Sequence, residues 1–166
     1  MACREYLTAF GGHPSAAGLQ LSLDRIPDFR QAINEYADTV LSQTDLEPTL
    51  LLDTEVEGDE LDQALVRDLS LLEPFGHQNP APLFALRHLQ LADTPRVVGT
   101  NHLKVQFRSN GRILSAIGFN MGEFSGEIST NRNALFDVAF VPTLNSYWNP
   151  PRMELEMKDL KIHPPA

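Results

Sequence analysis

The segment Gly11-Gly12-His13 is the local motif best suited to contact an anion. Glycine adopts positive φ easily and lets the backbone approach a ligand without a side chain in the way. Successive N–H groups in such a turn form an anion-binding concavity, and His13 could add a hydrogen bond to a phosphate. The motif therefore predicts phosphate contacts from Gly11, Gly12 and His13. A structural turn that carries a surface histidine is the alternative.

Basic and aromatic side chains in the second half of the sequence could together bind single-stranded nucleic acid. Such sites follow the phosphates with basic groups and stack the bases on aromatic rings. Phe107 alternates with the cations of its own strand and is expected in the core, whereas Tyr147 and Trp148 stand in a polar turn. Rings in that turn are either exposed or plug the end of a barrel. The candidate DNA contacts are Lys104, Arg108, Arg112, Tyr147, Trp148, Arg152 and Lys158.

No combination of residues in the sequence predicts catalysis or a metal site. The five histidines and the single cysteine, Cys3, are scattered, with no pair at the spacing of metal ligands. The acidic run at 53–60 is typical of a solvated edge that leads into a helix. The sequence has no Gly-x-Ser-x-Gly elbow, and Cys3 has no neighbouring histidine to activate it. We therefore expect no catalytic residue, metal or cofactor in this chain.

The charge is distributed unevenly along the chain, which has a net charge of −9. Residues 1–95 carry five basic and 16 acidic side chains, a net charge of −11, whereas residues 96–166 carry eight and six, a net charge of +2. Because phosphate contacts need Lys and Arg, only the second half could face DNA without help. The composition permits DNA binding and does not demonstrate it.

The cellular setting is indicated by what the sequence lacks. A single cysteine excludes an internal disulfide, and a reducing cytoplasm is the simplest setting for such a chain. No apolar run approaches the roughly 20 residues that span a bilayer, and the first residues do not have the pattern of a signal peptide. We expect a cytoplasmic protein without a membrane partner.

The first half of the sequence indicates a strand and a helix. After the glycine-rich turn, residues 19–23 alternate as in a half-buried strand. Apolar residues then recur at spacings of three and four after Pro27, which predicts an amphipathic helix to about Leu41. Residues 42–48 are polar and lack periodicity, so a domain boundary is expected there.

The second half indicates a small β domain with one appended helix. A short strand is expected within 49–56, followed by a helix with Leu61, Leu65, Leu69 and Leu72 on one face, with Asp59 as cap and Pro74 at the end. Strand-like runs then predict strands at 83–91, 103–108, 113–119, 136–140 and 153–158, and Asn110-Gly111 predicts a hairpin. The runs at 103–108, 136–140 and 153–158 alternate between apolar and polar residues. Five or six short strands suggest a barrel or a sandwich, and the fold class is α+β.

Several segments resemble the DHH phosphoesterase superfamily. Residues 7–18, which include Phe-Gly-Gly-His-Pro-Ser-Ala-Ala-Gly, resemble the Phe-Gly-Gly-His-x-x-Ala-Ala-Gly signature of its DHHA1 domain. Residues 72–84 are similar to the Glu-Pro-Phe-Gly-x-x-Asn-Pro-x-Pro-x-Phe segment of the RecJ family. Residues 102–105, 116–119, 136–140 and 157–160 follow in the order seen in the OB domain of RecJ. The resemblance extends over nearly the whole chain.

The resemblance implies the carboxy-terminal part of a RecJ-type exonuclease that is specific for single-stranded DNA. Residues 1–46 would be a strand and helix remnant of a DHHA1 domain, and residues 47–166 an OB-fold β-barrel with its appended helix. In this family a DHH domain holds two divalent cations, Mn or Mg, and cuts the DNA, while the OB domain grips the incoming strand. The sequence lacks Asp-His-His, so we expect no nuclease activity from this chain alone.

Two other functions stay open from the sequence. The acidic first half could belong to a protein-interaction module that docks a basic partner or the missing DHH catalytic domain. The chain could also be part of a DHH enzyme acting on short oligonucleotides or cyclic dinucleotides, although the OB segment gives no reason for that. The expected partners under the main hypothesis are single-stranded DNA and the DHH catalytic domain.

Overall fold

A computed structural model describes residues 3–13, 16–42 and 46–164 of the chain. These residues divide after Leu50 into two compact units. The first unit contains a two-stranded sheet and a helix, and the second contains a seven-stranded sheet with two helices among its described residues.

The first unit consists of strand β1 (Ala9–His13), the antiparallel strand β2 (Ala16–Gln20) and helix α1 (Ile26–Val40). Helix α1 confirms the predicted amphipathic helix, with Pro27 in its first turn. The prediction of a turn at Gly11–His13 was wrong, because these residues lie within β1 and pair with β2. The strand predicted at 19–23 begins earlier, at Ala16, and ends at Gln20.

The second unit contains the remaining elements, all of which lie after Leu50. In chain order they are β3 (Thr54–Glu55), α2 (Gln63–Ser70), β4 (Phe84–Leu91), β5 (Arg96–Val98), β6 (His102–Ser109), β7 (Arg112–Gly118), α3 (Phe124–Thr130), β8 (Leu135–Asn145) and β9 (Arg152–His163).

Five of these strands close into a ring. The strand order is β3-β4-β8-β9-β7-β6-β5, and an additional pairing of β4 with β6 joins the two sides of the sheet. Within the ring only β7 and β9 run parallel, and the other four pairings are antiparallel. This pairing order gives the five-stranded barrel of an OB-fold, as predicted.

The core of the second unit is built from the inward side chains of these strands. Phe107, Phe136 and Phe140 are fully buried, and the rings of Phe107 and Phe136 lie 5.6 Å apart between centroids. Leu61, from the loop before α2, and Ile128, from α3, are also fully buried in this core. Burial of each such side chain stabilises the fold by about 1.5–3 kcal/mol. The prediction that Phe107 lies in the core is confirmed.

Two local predictions had different outcomes. Asn110 and Gly111 join β6 to β7 with φ of 48° and 80°, the positive values that a tight Asn-Gly hairpin turn requires. The hairpin prediction is confirmed. The predicted cap of α2 was wrong, because Asp62 caps the helix by accepting a hydrogen bond of 2.8 Å from the Leu65 N–H.

A bulge interrupts the pairing of β4 with β8, and beyond the bulge β4 also pairs with β6 through Gln90 and Leu91. The register with β8 shifts between Leu86 and Leu89, and His88 adopts a φ of 54°. The Asp137 carboxylate of β8 accepts the His88 N–H at 3.0 Å. Its second oxygen lies 2.8 Å from His163 Nε2 and 3.3 Å from Arg87 NH1. Asp137 therefore supplies the acceptor that the bulged backbone needs.

These contacts decide the charge state of Asp137. Burial tends to raise the pKa of this carboxyl, but the His88 N–H and the nearby side chains of His163 and Arg87 outweigh burial and hold the pKa below its ordinary value. A carboxyl whose pKa is lower in the folded state than in the unfolded chain stabilises the fold above the unfolded pKa, which is about 4. That contribution is lost as the pH falls through the folded pKa.

Asp137→Asn should therefore remove part of the acid sensitivity of the second unit. As the pH is lowered from about 5 through the folded pKa of Asp137, the free energy of unfolding of the wild type should fall more steeply than that of the variant, which no longer binds a proton at this position. Denaturant unfolding across this pH range measures the difference. Val138→Ala is the matched control, because it weakens the core next to Asp137 and should lower stability equally at each pH. Parallel pH profiles for the wild type and Asp137→Asn would contradict the assignment.

Candidate nucleic-acid interface

The loop between β8 and β9 exposes two aromatic rings. Tyr147 is 87% exposed and Trp148 is 47% exposed. The turn begins where Asn145, the last residue of β8, accepts the Tyr147 N–H with its side-chain oxygen at 3.0 Å. Such a local bond is a common way for Asn to start a turn. Exposed rings, one of the two alternatives left by the sequence, are therefore observed at this loop.

Arg152, the first residue of β9, completes this cluster. Its guanidinium carbon lies 4.6 Å from the centre of the Trp148 ring, within the range of a cation–π contact. The rings of Tyr147 and Trp148 meet edge to face, with centroids 5.7 Å apart and planes at 88°. We call Tyr147, Trp148 and Arg152 the aromatic platform. It combines faces on which bases can stack with a cation for a phosphate.

Lys104 lies on the outer face of the barrel, where its charge is already paired. The ammonium group bonds to the Glu154 carboxylate of β9. Glu154 is only 6% exposed and also accepts hydrogen bonds of 3.0 Å from Ser115 Oγ and Asn145 Nδ2. A carboxylate so far withdrawn from water needs such partners. Lys104 therefore acts as a counter-charge within the fold.

Arg112 is bonded to the backbone of the loop before α2. Its guanidinium donates to the carbonyl oxygens of Gly58, Asp59 and Leu61, each at 3.0 Å. This loop places Leu61 in the core, so Arg112 contributes to the stability of the barrel. Its donors are spread over three carbonyls that carry no net charge.

The remaining two predicted cations lie in different surroundings. Lys158 bonds to the Glu156 carboxylate two residues before it on the same face of β9. Arg108 lines a polar cleft of about 660 Å³ in the second unit, and the cleft also contains several acidic and basic side chains. These neighbours are Glu55, Glu57, Glu60 and Arg87. The structure thus groups Tyr147, Trp148 and Arg152 and places the other four predicted contacts with other partners or at another part of the surface.

The predicted phosphate contacts lie in the first unit, on the β1–β2 hairpin. A Cβ added to Gly12 would lie 2.6 Å from Ala16 O and 2.8 Å from Ala17 Cβ, so the close approach of the strands requires glycine there. Gly11 pairs with Gly18, and a Cβ added to either would meet no atom within 4 Å. Side chains alternate along a strand, so this glycine pair leaves bare backbone on one face of the hairpin. His13 ends β1, opposite Ala16.

Sequence patterns did not reveal Glu154 or Asn145. In sequence, Glu154 alternates with Met153 and Leu155 like a residue on the solvated face of any strand. Its burial depends on neighbours from other strands. Asn145 precedes a polar turn, which was the one available signal. Among the described residues, no three His, Cys, Asp or Glu side chains are grouped to hold a metal ion. Within that same part of the chain, no helix has the length and apolar character needed to cross a membrane.

The family model of the RecJ OB domain matches residues 52–159, which is most of the second unit. The chain belongs to the RecJ OB domain family. This confirms the resemblance to RecJ found in the sequence, and the matched range contains β3 to β8 and most of β9.

Known RecJ proteins resemble this chain over part of their length. The single-stranded-DNA-specific exonuclease RecJ of Bacillus subtilis is 31% identical over 162 residues, 96% of this chain and 20% of the relative. RecJ of Dickeya dadantii is 36% identical over 114 residues, 68% of this chain and 19% of the relative. The chain therefore spans about a fifth of the curated relatives that it matches.

A solved RecJ structure has the same fold. The crystal structure of Thermus thermophilus RecJ in complex with Mn²⁺ matches with a TM-score of 0.70 and 27% identity, covering 98% of this chain and 23% of that one. A second crystal structure of the same protein, in complex with Mg²⁺, matches with a TM-score of 0.66. The α+β fold with an OB barrel is thus shared with RecJ.

Arg112→Lys should weaken the fold. One ammonium group cannot reach all three carbonyls, so the free energy of unfolding should fall by about 1–3 kcal/mol. Arg132→Lys is the matched control, because the one hydrogen bond that its guanidinium makes among the described residues goes to the exposed Thr94 hydroxyl. Denaturant unfolding of both variants measures the difference. Equal stability of Arg112→Lys and Arg132→Lys would contradict the structural role of Arg112.

Proposed function

We propose that this chain binds single-stranded DNA as part of a RecJ-type exonuclease, and that its second unit grips the strand. The observation that carries this proposal is the aromatic platform, two exposed rings beside a cation at the end of the β8–β9 hairpin of an OB barrel. The names of the RecJ relatives, which describe single-stranded-DNA-specific exonucleases, support it.

The platform suits a strand whose sequence is not read. Every base has an apolar face that can stack on an aromatic ring, and Arg152 can reach the phosphate of the same nucleotide. OB domains commonly bind oligonucleotides on the face formed by their second and third strands and on the adjoining loops. In this barrel those strands are β6 and β7, and the β8–β9 loop adjoins β9, which pairs with β7.

The cations contribute unequally under this proposal. Arg152 is the main phosphate contact, because the one side chain that its guanidinium contacts among the described residues is the Trp148 ring. Lys104 and Lys158 are paired with carboxylates, and Arg112 is bonded to backbone carbonyls, so each would need to exchange a partner before binding a phosphate. Arg108 is a secondary contact for a strand that extends to the polar cleft. The salt dependence of binding is therefore expected to be modest.

Hydrolysis is assigned to a part of RecJ that this chain does not supply. The solved relative contains Mn²⁺ or Mg²⁺, and two-metal hydrolysis needs both ions held close together by protein ligands. The described residues offer no such group, so the two divalent cations would be bound by the DHH catalytic domain of the larger enzyme. Residues 1–46 would then be the end of a DHHA1 domain, residues 47–166 the OB domain, and the cytoplasm their location.

Trp148→Ala should lower the affinity for oligo-dT at low salt. A stacked base contributes about 1–3 kcal/mol, which corresponds to about 5- to 150-fold in affinity. Fluorescence anisotropy of a labelled oligonucleotide measures the loss, and the salt slope should not change because no cation is removed. Leu71→Ala is the control, since Leu71 is an exposed apolar side chain outside the platform.

Arg152→Gln should lower both the affinity and the salt slope. Losing one phosphate contact to a single strand reduces the slope of log K against log salt by about 0.7. Arg67→Gln is the matched control, because Arg67 lies on α2, outside the platform, and its guanidinium donates a hydrogen bond to the Gln63 side chain. If neither the Trp148 nor the Arg152 variant differs from its control, the platform does not bind the strand.

The bare backbone at Gly11 and Gly18 is a second contact under this proposal. Gly11, Gly12 and His13 would approach a phosphate, and the absence of side chains on the Gly11 face leaves room for it. Gly12 has a structural reason to be glycine, so Gly11 is the informative position.

Gly11→Ala should weaken binding of a long oligonucleotide without destabilising the first unit. The added methyl group meets no protein atom within 4 Å, so it can interfere only with a ligand. Gly126→Ala is the control, because its added Cβ also meets nothing and it lies on α3. Anisotropy titrations and thermal unfolding of both variants measure the effects. Equal affinities for the two variants would leave the Gly-Gly-His segment with a structural role only.

A docking function is the second candidate, and one feature of the first unit favours it. Its apolar side chains line a groove that no described residue of this unit fills, and several of them are about half exposed. These side chains include Phe10, Leu19, Ile33 and Tyr36. Such a patch is typical of a surface that another protein part covers, and the missing DHH catalytic domain is the partner we propose. Unchanged DNA affinity in the platform variants would favour this function over DNA binding.

A further inference from the structure

Glu154 is a buried charged side chain on the outer face of the barrel, near the start of β9. It is the one polar or charged residue found buried in the part of the chain that the structure describes. Its partners come from three neighbouring strands. One carboxylate oxygen accepts from Lys104 of β6 and from Ser115 of β7, and the other accepts from Asn145 of β8.

The burial of Glu154 follows from these partners. Leu155 points into the core and is fully buried, so by alternation Glu154 points to the outer face. It lies directly opposite Thr143, whose hydroxyl donates to the Glu154 carbonyl at 3.2 Å. The side chains around it therefore cover a position that would otherwise face solvent. A carboxylate held in this way is oriented by every partner at once.

Asn145 connects this carboxylate to the platform. Its amide nitrogen donates to Glu154 Oε2, and its amide oxygen accepts the Tyr147 N–H. The first bond fixes which way the amide points, and only that orientation presents the oxygen to the Tyr147 backbone. Asn145 is thus the single side chain that links Glu154 to the turn that exposes Tyr147 and Trp148.

We propose that Glu154 is a positioning residue for DNA binding, with two effects, and this inference rests on the proposed function of the platform. It orients Asn145, which sets the turn of Tyr147 and Trp148. It also keeps the Lys104 ammonium as a counter-charge within the fold, away from phosphates. A carboxylate on this face disfavours phosphates beside it, so the bases of the strand lie toward this face and its phosphates lie toward Arg152 and solvent.

Glu154→Gln tests the second effect. The amide keeps the shape and a hydrogen-bond acceptor for Asn145 but releases Lys104, which then binds a phosphate. The salt slope for oligo-dT should become steeper by about 0.7, and affinity at low salt should rise several-fold. Adding Lys104→Met to this variant should return the slope to the wild-type value. An unchanged slope in Glu154→Gln would overturn this part of the proposal.

The double variant also covers the case in which Glu154→Gln does not fold. Lys104→Met with Glu154→Gln removes both charges of the pair and leaves neither buried alone. Its salt slope should equal that of the wild type, because Lys104 does not contact DNA in the wild type. A flatter slope in the double variant would show that Lys104 binds a phosphate despite Glu154, which would overturn the proposal.

Asn145→Ala tests the first effect. Without the amide the turn loses its bond to Glu154, so affinity for oligo-dT should fall about tenfold with an unchanged salt slope. The emission of Trp148, the only tryptophan of the chain, should also shift in the absence of DNA. Asn131→Ala is the matched control, because the Asn131 amide donates to the Glu127 carbonyl beside α3. Wild-type affinity and emission in Asn145→Ala would contradict the positioning role.

The outcome for Trp148→Ala separates this inference from the proposed function. If that variant binds as tightly as the wild type, the platform is not the DNA site and both ideas fail. If Trp148→Ala loses affinity while Glu154→Gln keeps the wild-type salt slope and Asn145→Ala binds as tightly as Asn131→Ala, the platform binds DNA and only the positioning role is wrong.

Discussion

Closure of the five-stranded ring is the constraint on which the second unit depends. Strand β4 pairs with β8 over residues 84–90 and, at Gln90 and Leu91, also with β6, so it must curve to join the two sides of the sheet. The bulge at His88 provides the bend, and Asp137 accepts the N–H that the bulge removes from the ladder. Once the ring is closed, β6, β7, β9 and β8 lie side by side on one outer face. That order brings Lys104, Ser115 and Asn145 around Glu154.

Local sequence patterns predicted the elements that local physics determines. Alternation identified β6, β8 and β9, and Asn110-Gly111 identified the hairpin, because each signal depends on residues that are adjacent in the chain. Helix α3 was missed, since its sequence Phe-Ser-Gly-Glu-Ile-Ser-Thr is poor in strong helix formers and its burial of Ile128 depends on the barrel. The glycine-rich segment was misassigned because glycine, chosen here at Gly12 for close strand packing, also marks turns.

The candidate site was predictable in composition but not in its electrostatics. The polar turn left exposure of Tyr147 and Trp148 as one of two alternatives, and Arg152 follows closely in sequence. Pairing of the other cations could not be foreseen, because Lys104 meets Glu154 fifty residues later and Arg112 meets a loop more than fifty residues earlier. The topology of the sheet determines such long-range partners, and the alternation of side chains along one strand does not indicate them. A count of basic residues therefore overestimates the charge that this face offers to DNA.

The order of the strands has one more consequence, for self-association. The two strands at the ends of the sheet, β3 and β5, are two and three residues long, and the other described strands of this sheet take part in the ring. Unpaired strand edges are templates on which other chains add and aggregate, and short edges offer little length for this. In the part of the first unit that the structure describes, the sheet of β1 and β2 has no third strand. Aggregation of the chain at high concentration would therefore be expected to begin at its first unit.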